Sequence, residues 1–567
     1  MKKYSYVLVI SCFLISLIHA QVSTTTPKNY VSKVWVADNG DGTYKNPILH
    51  ADYSDPDVIR VGDDFYLTAS SFNEVPGLPI LHSKDLVNWR IIGNVFLKQP
   101  PFARYDSVVH GGGVWAPAIR YHKGEFYIYY PDPDLGIWMV KAQHPKGPWS
   151  EPLLIKKALG WIDPCPFWDE DGNAYLVNGM AASRSGVKST LIMNRMSEDG
   201  TKLLDDGVII FDGHGKHPTV EGPKLYKRNG YYYILAPAGG VGGGWQLALR
   251  SKNIYGPYEE KVVLEKGSTS PTNGPHQGAW VETQTGESWF LHFQDKDAYG
   301  RILHLEPILW VNDWPLMGVD KDKNGVGEPV LTYKKPNVGK TYPIETPAES
   351  DEFNDSQLGL QWQWAANPKN NQAFMAGAAY GFLRMYNLPV REVEKNKWNV
   401  TNLLTQKFPA PDFSAVTKFT FTARTSDEEA GLIVMGIDYG YISLKKTDAG
   451  LVVYQSTCID AEGGNPEIHS AEEKVLTNTV YFKVKVENVK PDSPDYKVFN
   501  TAQNSKWGNA KCTFSYSVDG KNFRQIGTAF AARNGKWIGA KVGLFAIRKG
   551  KTYESGYADF DWFRIEK

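Results

Sequence analysis

The sequence predicts an all-β protein, a five-bladed β-propeller followed by a β-sandwich. Three observations predict it. The 567 residues include 18 Trp, 31 Tyr and 25 Phe alongside 53 Gly and 34 Pro, the mixture of aromatics and turn formers that many short strands require. One strand–turn–strand unit recurs five times before residue 310. From Glu349 onward the pattern changes to short alternating strands, such as Thr417 to Ala423 and Val480 to Val486, set between Gly, Asn and Asp turns.

Taken in order, the chain opens with a secretory signal over 1–20. Lys2 and Lys3 precede a nearly unbroken apolar run from Val7 to Ile18, and His19-Ala20 leads into polar residues. The run is too short to span a bilayer and is flanked for cleavage after Ala20. A rival reading is a lipoprotein signal, with Val9-Ile10-Ser11 before Cys12, which would anchor the protein to a membrane through lipid. Otherwise the chain is expected to be exported to the periplasm, cell surface or medium. Past Ala20 only Cys165, Cys458 and Cys512 remain, too few for a disulfide scaffold. Cys458 and Cys512 could pair, or both could be isolated buried thiols.

The propeller is expected over 21–345. Its five units begin at Asp55, Trp115, Asp163, Glu221 and His276, and each holds a short apolar strand, a Gly-containing turn and an aromatic strand. A further apolar strand and a later aromatic follow most copies, giving about four strands per unit, which is one propeller blade. The innermost strand of a blade lines the axis, so the five opening residues converge at one end of it. Three are carboxylates, which repel one another and are seldom gathered without cause. Residues 318–348 read as a linker or wrapping segment, and 346–567 as the sandwich.

Composition narrows function. Hydrophobic residues make up 42%, excluding a disordered chain. Lys+Arg and Asp+Glu both total 62, without the basic excess of a nucleic-acid binder. Paired carboxylates facing a sugar pocket serve glycoside hydrolysis: one acid protonates the leaving oxygen, one base activates water, and a third carboxylate raises the acid's pKa. Asp55, Asp163 and Glu221 supply three such groups.

These stretches resemble glycoside hydrolase family 43: Asp52-Tyr53-Ser54-Asp55-Pro56-Asp57, Gly113-Val114-Trp115-Ala116-Pro117, Trp161-Ile162-Asp163-Pro164, Glu221-Gly222-Pro223-Lys224-Leu225, Gly274-Pro275-His276-Gln277-Gly278 and Tyr299-Gly300-Arg301. The resemblance implies an inverting hydrolase, with Asp55 as general base, Glu221 as general acid and Asp163 tuning the acid. It places Arg301 against the sugar, Trp115 and Phe72 as pocket walls, and His276 at the hub beside a calcium or a water cluster. Inversion requires acid and base carboxyls roughly 6.5–9.5 Å apart. The motif departs from many relatives at Ser54, where proline is usual; the departure leaves Asp55 in place and is expected to loosen the turn slightly. The second half resembles the concanavalin-like sandwich of β-xylosidases in that family, whose loop can close the pocket and which sometimes holds calcium. No cofactor is implied as required, and a structural calcium is an option.

The resemblance leans towards an exo-acting enzyme that releases terminal β-D-xylose or α-L-arabinofuranose from xylan- and arabinoxylan-derived oligosaccharides. The alternatives are an arabinan-active hydrolase of the same family and a non-catalytic carbohydrate-binding protein.

Overall fold

The computed structural model describes residues 29–267, 274–490, 510–550 and 554–567. The leader segment, with its cleavage point and Cys12, lies outside the described residues. Five antiparallel sheets form the propeller. Blade one is Asp57–Val61, Asp64–Thr68, Gly77–Ser83 and Trp89–Phe96; blade two is Ala118–His122, Glu125–Asp132, Gly136–Ala142 and Leu153–Lys157. Blade three is Trp161–Trp168, Ala174–Met180, Thr190–Met196 and Val208–Asp212; blade four is Lys224–Arg228, Tyr231–Ala238, Trp245–Ser251 and Glu259–Leu264. Blade five runs His276–Glu282, Ser288–Asp295 and Arg301–Val311, with Trp314–Met317 paired to the last of these. Its outer position is also taken by Leu49–Asp52, from before blade one. Pairing the start of the chain to the last blade closes the ring.

Burial follows from stacking blades face to face. Central strands such as Gly77–Ser83 are buried along their whole length, whereas every residue of the rim strands Leu153–Lys157 and Val208–Asp212 is half-buried or exposed. Strands covered on both faces read as near-continuous apolar runs.

A polar belt crosses all five blades. Arg120 Nη1 donates to Asp57 Oδ2 at 2.6 Å and Ile119 N to the same oxygen at 2.7 Å. Arg120 Nη2 reaches Cys165 Sγ at 2.9 Å, Leu225 N reaches that sulfur at 3.3 Å, and Trp280 N donates to Tyr226 Oη at 3.0 Å. The second aspartate of the Asp55-Pro56-Asp57 motif thus holds blades together, and Asp57 is fully buried with its charge paired.

The C-terminal region packs two sheets face to face, one carrying Leu403–Lys407, Lys541–Arg548, Glu428–Met435, Tyr439–Thr447, Gly450–Cys458 and Ile468–Val475 in spatial order. The other carries Leu383–Tyr386, Tyr557–Glu566, Phe413–Thr422, Thr479–Asn488 and Ala510–Ser517. In Thr479–Asn488 the residues Val480, Phe482, Val484 and Val486 are buried, the period-two signature of a strand covered on one face. The shared core includes Phe419, Phe482, Phe560, Leu432 and Leu544. Cys458 and Cys512 do not pair; they are free, buried and on opposite sheets.

The sandwich is bonded to the propeller. Val75 and Trp364 exchange backbone hydrogen bonds, Asn367 donates to Gln99 O at 3.0 Å, and Lys541 Nζ lies 3.0 Å from Glu74 Oε2. Val75, Ala298, Tyr299 and Ile302 from the propeller belong to the sandwich's own core cluster. Among the described residues, no helix is long and apolar enough to cross a membrane.

Candidate active site

The three carboxylates meet in one pocket of about 220 Å³ at the hub, lined by Asp55, Asp163, Glu221, His276, Arg301, Trp115, Phe72 and Trp537 among others. All seven residues expected from the sequence are there. A larger cavity of about 490 Å³ lies along the N-terminal arm and residues 345–361, remote from any of these carboxylates.

Local backbone aims the side chains. Asp55 and Asp163 both have left-handed φ, +55° and +58°, which Asp tolerates better than most residues but which is uncommon outside Gly. Gly222, next to Glu221, has φ +59°, and a Cβ there would sit 2.8 Å from Gln277 Cδ. Glycine is therefore needed for Gly222 N to donate to Asp163 Oδ2 at 2.8 Å. Gly113 plays the same part beside the aromatic wall: its missing Cβ lets Val114 exchange backbone hydrogen bonds with Phe72.

The carboxylates have different surroundings. Asp55 Oδ2 accepts from Ser54 Oγ at 2.7 Å and Ser70 Oγ at 2.6 Å, and Arg301 Nη1 stands 3.4 Å from Oδ1. Ser54 Oγ also accepts from Arg301 Nη1 at 2.8 Å. Three donors thus converge around one carboxylate. Ser54 is therefore a polar link between Arg301 and Asp55, beyond any effect on the turn.

Glu221 lacks such donors. His276 Nε2 stands 3.4 Å from its Oε1, and burial pushes that imidazole down to about 3, leaving it neutral. Burial first, and then the charges of Asp163 and Asp55, push the Glu221 carboxyl up to about 8, although 28% of its side chain faces the open pocket. Asp163 is pushed up to about 6, by burial and then by Asp55. Of Asp163 and Glu221, Glu221 keeps its proton to the higher pH. An arrangement with one protonated and one donor-surrounded carboxyl can deliver a proton on one side of a bond and accept one on the other.

The walls are aromatic. Phe72 and Trp115 lie 6.3 Å apart edge to face, and Trp115 and Trp537 lie 5.9 Å apart in the same way. Trp537 comes from the sandwich. Its loop is fastened by Asp52, whose Oδ2 accepts from Gly539 N at 2.8 Å while Oδ1 accepts from Arg301 N at 2.8 Å. One carboxylate thus sets both the arginine and the loop that completes the pocket. Trp537 was missed in the sequence; its only local signal is an aromatic inside the turn-rich stretch Asn534-Gly535-Lys536-Trp537. Because its ring at the pocket mouth offers the same face to substrate and transition state, Trp537→Ala is expected to raise KM about tenfold, ~1.4 kcal/mol, with kcat little changed. Initial rates over a range of substrate concentrations test this; an unchanged KM would remove the sandwich from substrate binding.

Among the described residues, both ring nitrogens of His276 lack a hydrogen-bond partner. Among the described residues, no two carboxylates join it closely enough to share an ion. Calcium takes six to eight oxygens, so a calcium at this position would rest on one ring nitrogen and on water.

A five-bladed propeller with three buried or half-buried carboxylates in an aromatic pocket defines a glycosidase architecture. The comparisons with known proteins agree. Residues 44–315 match the glycosyl hydrolases family 43 model, and residues 350–566 match the beta xylosidase C-terminal concanavalin A-like domain. A Xylanibacter ruminicola protein is 41% identical over 517 residues, 90% of this chain and 88% of its own. A beta-xylosidase of Formosa agariphila is 34% identical, covering 95% of this chain and 94% of its own. A non-reducing end alpha-L-arabinofuranosidase of Bacteroides ovatus is 28% identical over 92% of this chain and 94% of its own. The crystal structure of a xylan beta-1,4-xylosidase from Bacillus halodurans superposes with a TM-score of 0.78 at 25% identity, covering 92% of this chain and all of that one. This chain belongs to glycosyl hydrolase family 43 and is a glycosidase.

Proposed function

We propose that this protein is an exported, exo-acting, inverting glycosidase that removes terminal β-D-xylose or α-L-arabinofuranose from xylan- and arabinoxylan-derived oligosaccharides. The observation that carries this reading is the pocket itself, a site of about 220 Å³ holding three carboxylates in unlike surroundings. That volume lies below the roughly 300–1,000 Å³ typical of drug-sized ligand pockets and suits one terminal sugar ring. The names borne by the Formosa agariphila and Bacteroides ovatus relatives support xylose and arabinofuranose respectively.

In this reading Glu221 protonates the leaving oxygen, Asp55 takes a proton from the attacking water, and Asp163 keeps Glu221 protonated and oriented. Arg301 holds Asp55 through Ser54 and faces the sugar, with Phe72, Trp115 and Trp537 against its apolar faces. Export rests on the signal-like first twenty residues.

The test is release of p-nitrophenol from the β-D-xylopyranoside and the α-L-arabinofuranoside, with kcat/KM compared. Turnover of either, with NMR detecting the inverted anomer first, is the expected result. No release from these or from arabino-xylo-oligosaccharides would overturn the substrate assignment, and retention of anomeric configuration would overturn the roles of Asp55 and Glu221.

A further inference from the structure

A second cluster of chemistry-bearing side chains lies in blade five, outside the sugar pocket. His292 on Ser288–Asp295 stands directly opposite His304 on Arg301–Val311 in the antiparallel register, and Glu306 follows two residues on. The three therefore share one face of the sheet. His292 and Glu306 are fully buried and His304 is 2% exposed. One ligand-capable atom from each lies within 4.8 Å of the others.

The hydrogen bonds around these groups leave the proton between His292 Nε2 and Glu306 Oε1 unassigned. His292 Nδ1 lies 3.0 Å from Phe293 O, and because a carbonyl only accepts, Nδ1 carries the proton. In the neutral ring Nε2 is then a lone pair, and it faces Glu306 Oε1 at 3.3 Å. Glu306 accepts on both oxygens, from Val330 N on Oε2 at 2.8 Å and from Asn46 Nδ2 on Oε1 at 3.4 Å. Among the described residues, neither ring nitrogen of His304 has a hydrogen-bond partner. With both rings neutral and Glu306 ionised, two imidazole lone pairs and a carboxylate oxygen converge in the interior, and a proton, a water or a cation must join them. Buried polar groups are rarely left this way without water, a proton or an ion.

We propose that His292, His304 and Glu306 hold a divalent first-row metal ion, with zinc the best match to the donor set. Two imidazoles and one carboxylate are a known zinc ligand combination, and water can take a fourth position. A ligating histidine characteristically donates its other ring N–H to a carbonyl or carboxylate, as His292 does to Phe293. Donors around tetrahedral zinc stand about 3.3–3.5 Å apart, given Zn–N bonds near 2.0–2.1 Å. The His292–Glu306 separation already meets that spacing, and His304 needs only to draw inward. The ion would be structural: no pocket is lined by these three residues among those described. Its place is the ring closure, since Leu49–Asp52 pairs with the strand that carries His304 and Glu306, and Asn46 precedes it.

The experiment uses the full-length protein, without a histidine tag, produced in zinc-supplemented medium and freed of loose metal by gel filtration. Elemental analysis is expected to find about one zinc per chain, and protein grown in cobalt instead is expected to show the visible absorption of tetrahedral Co(II). His304→Gln and His292→Gln are expected to lose that equivalent. His214→Gln with His469→Gln, which removes two exposed histidines beside carboxylates, is expected to keep it. Less than about a tenth of an equivalent in the folded wild type, measured directly and so independent of whether the variants fold, overturns the proposal in favour of a buried water or proton. So does metal that persists in folded His304→Gln or leaves with the surface pair.

Discussion

Glu221→Gln is expected to lower kcat/KM on xylo-oligosaccharides by about 10²–10⁴, the usual contribution of a positioned general acid. The loss is expected to be far smaller on aryl glycosides whose leaving group departs without a proton. The pH profile supplies the sign. A carboxyl donates only while protonated, and Glu221 is pushed up to about 8 by burial and then by the charges of Asp163 and Asp55. Its donor form is present below that value and is lost as pH rises through it. Wild-type kcat/KM, which reports ionisation of the free enzyme, should therefore fall on the alkaline side near pH 8, and the fall should vanish in Glu221→Gln. Equal losses on both substrate types with the alkaline limb unmoved would assign the proton to another group.

The hub was legible in the sequence because a propeller repeats its geometry. Asp55, Trp115, Asp163, Glu221 and His276 open successive units, and the fold places their strands around one axis, so equivalence in sequence became proximity in space. Phe72 and Arg301, read from the resemblance, line the same pocket. What was not legible depends on pairings between distant segments. Trp537 reaches the pocket on a loop whose Gly539 N donates to Asp52, across nearly the whole chain. The link that Ser54 makes needs Arg301, which arrives from the last blade. The closing of blade five by Leu49–Asp52, and with it the facing of His292 and His304, requires strand register, which period-two patterning alone leaves open. The separation of Cys458 and Cys512 is of the same kind: both fall in alternating strands, and only the topology puts those strands in different sheets.

Asp55→Asn separates the base from the acid most cleanly. Asparagine shares aspartate's tolerance for the left-handed backbone found at this position, φ +55°, so the hub turn should survive where alanine would add strain. The amide still offers an oxygen to Ser54 and Ser70 but cannot take a proton from water. The expected loss is on the order of 10²–10⁴ in kcat/KM, and unlike that of Glu221→Gln it should be the same for good and poor leaving groups, because water activation precedes neither more nor less bond cleavage in the two. A second signature follows from charge. Asp55 is one of the causes that raise Glu221, so its neutralisation lowers that carboxyl, and the alkaline limb of the residual activity should move to lower pH. Paired rate profiles on xylobiose and an activated aryl xyloside read both effects at once. A loss confined to the poor leaving group would exchange the roles of the two carboxylates, since the group that must protonate the departing oxygen is the one whose removal a good leaving group forgives.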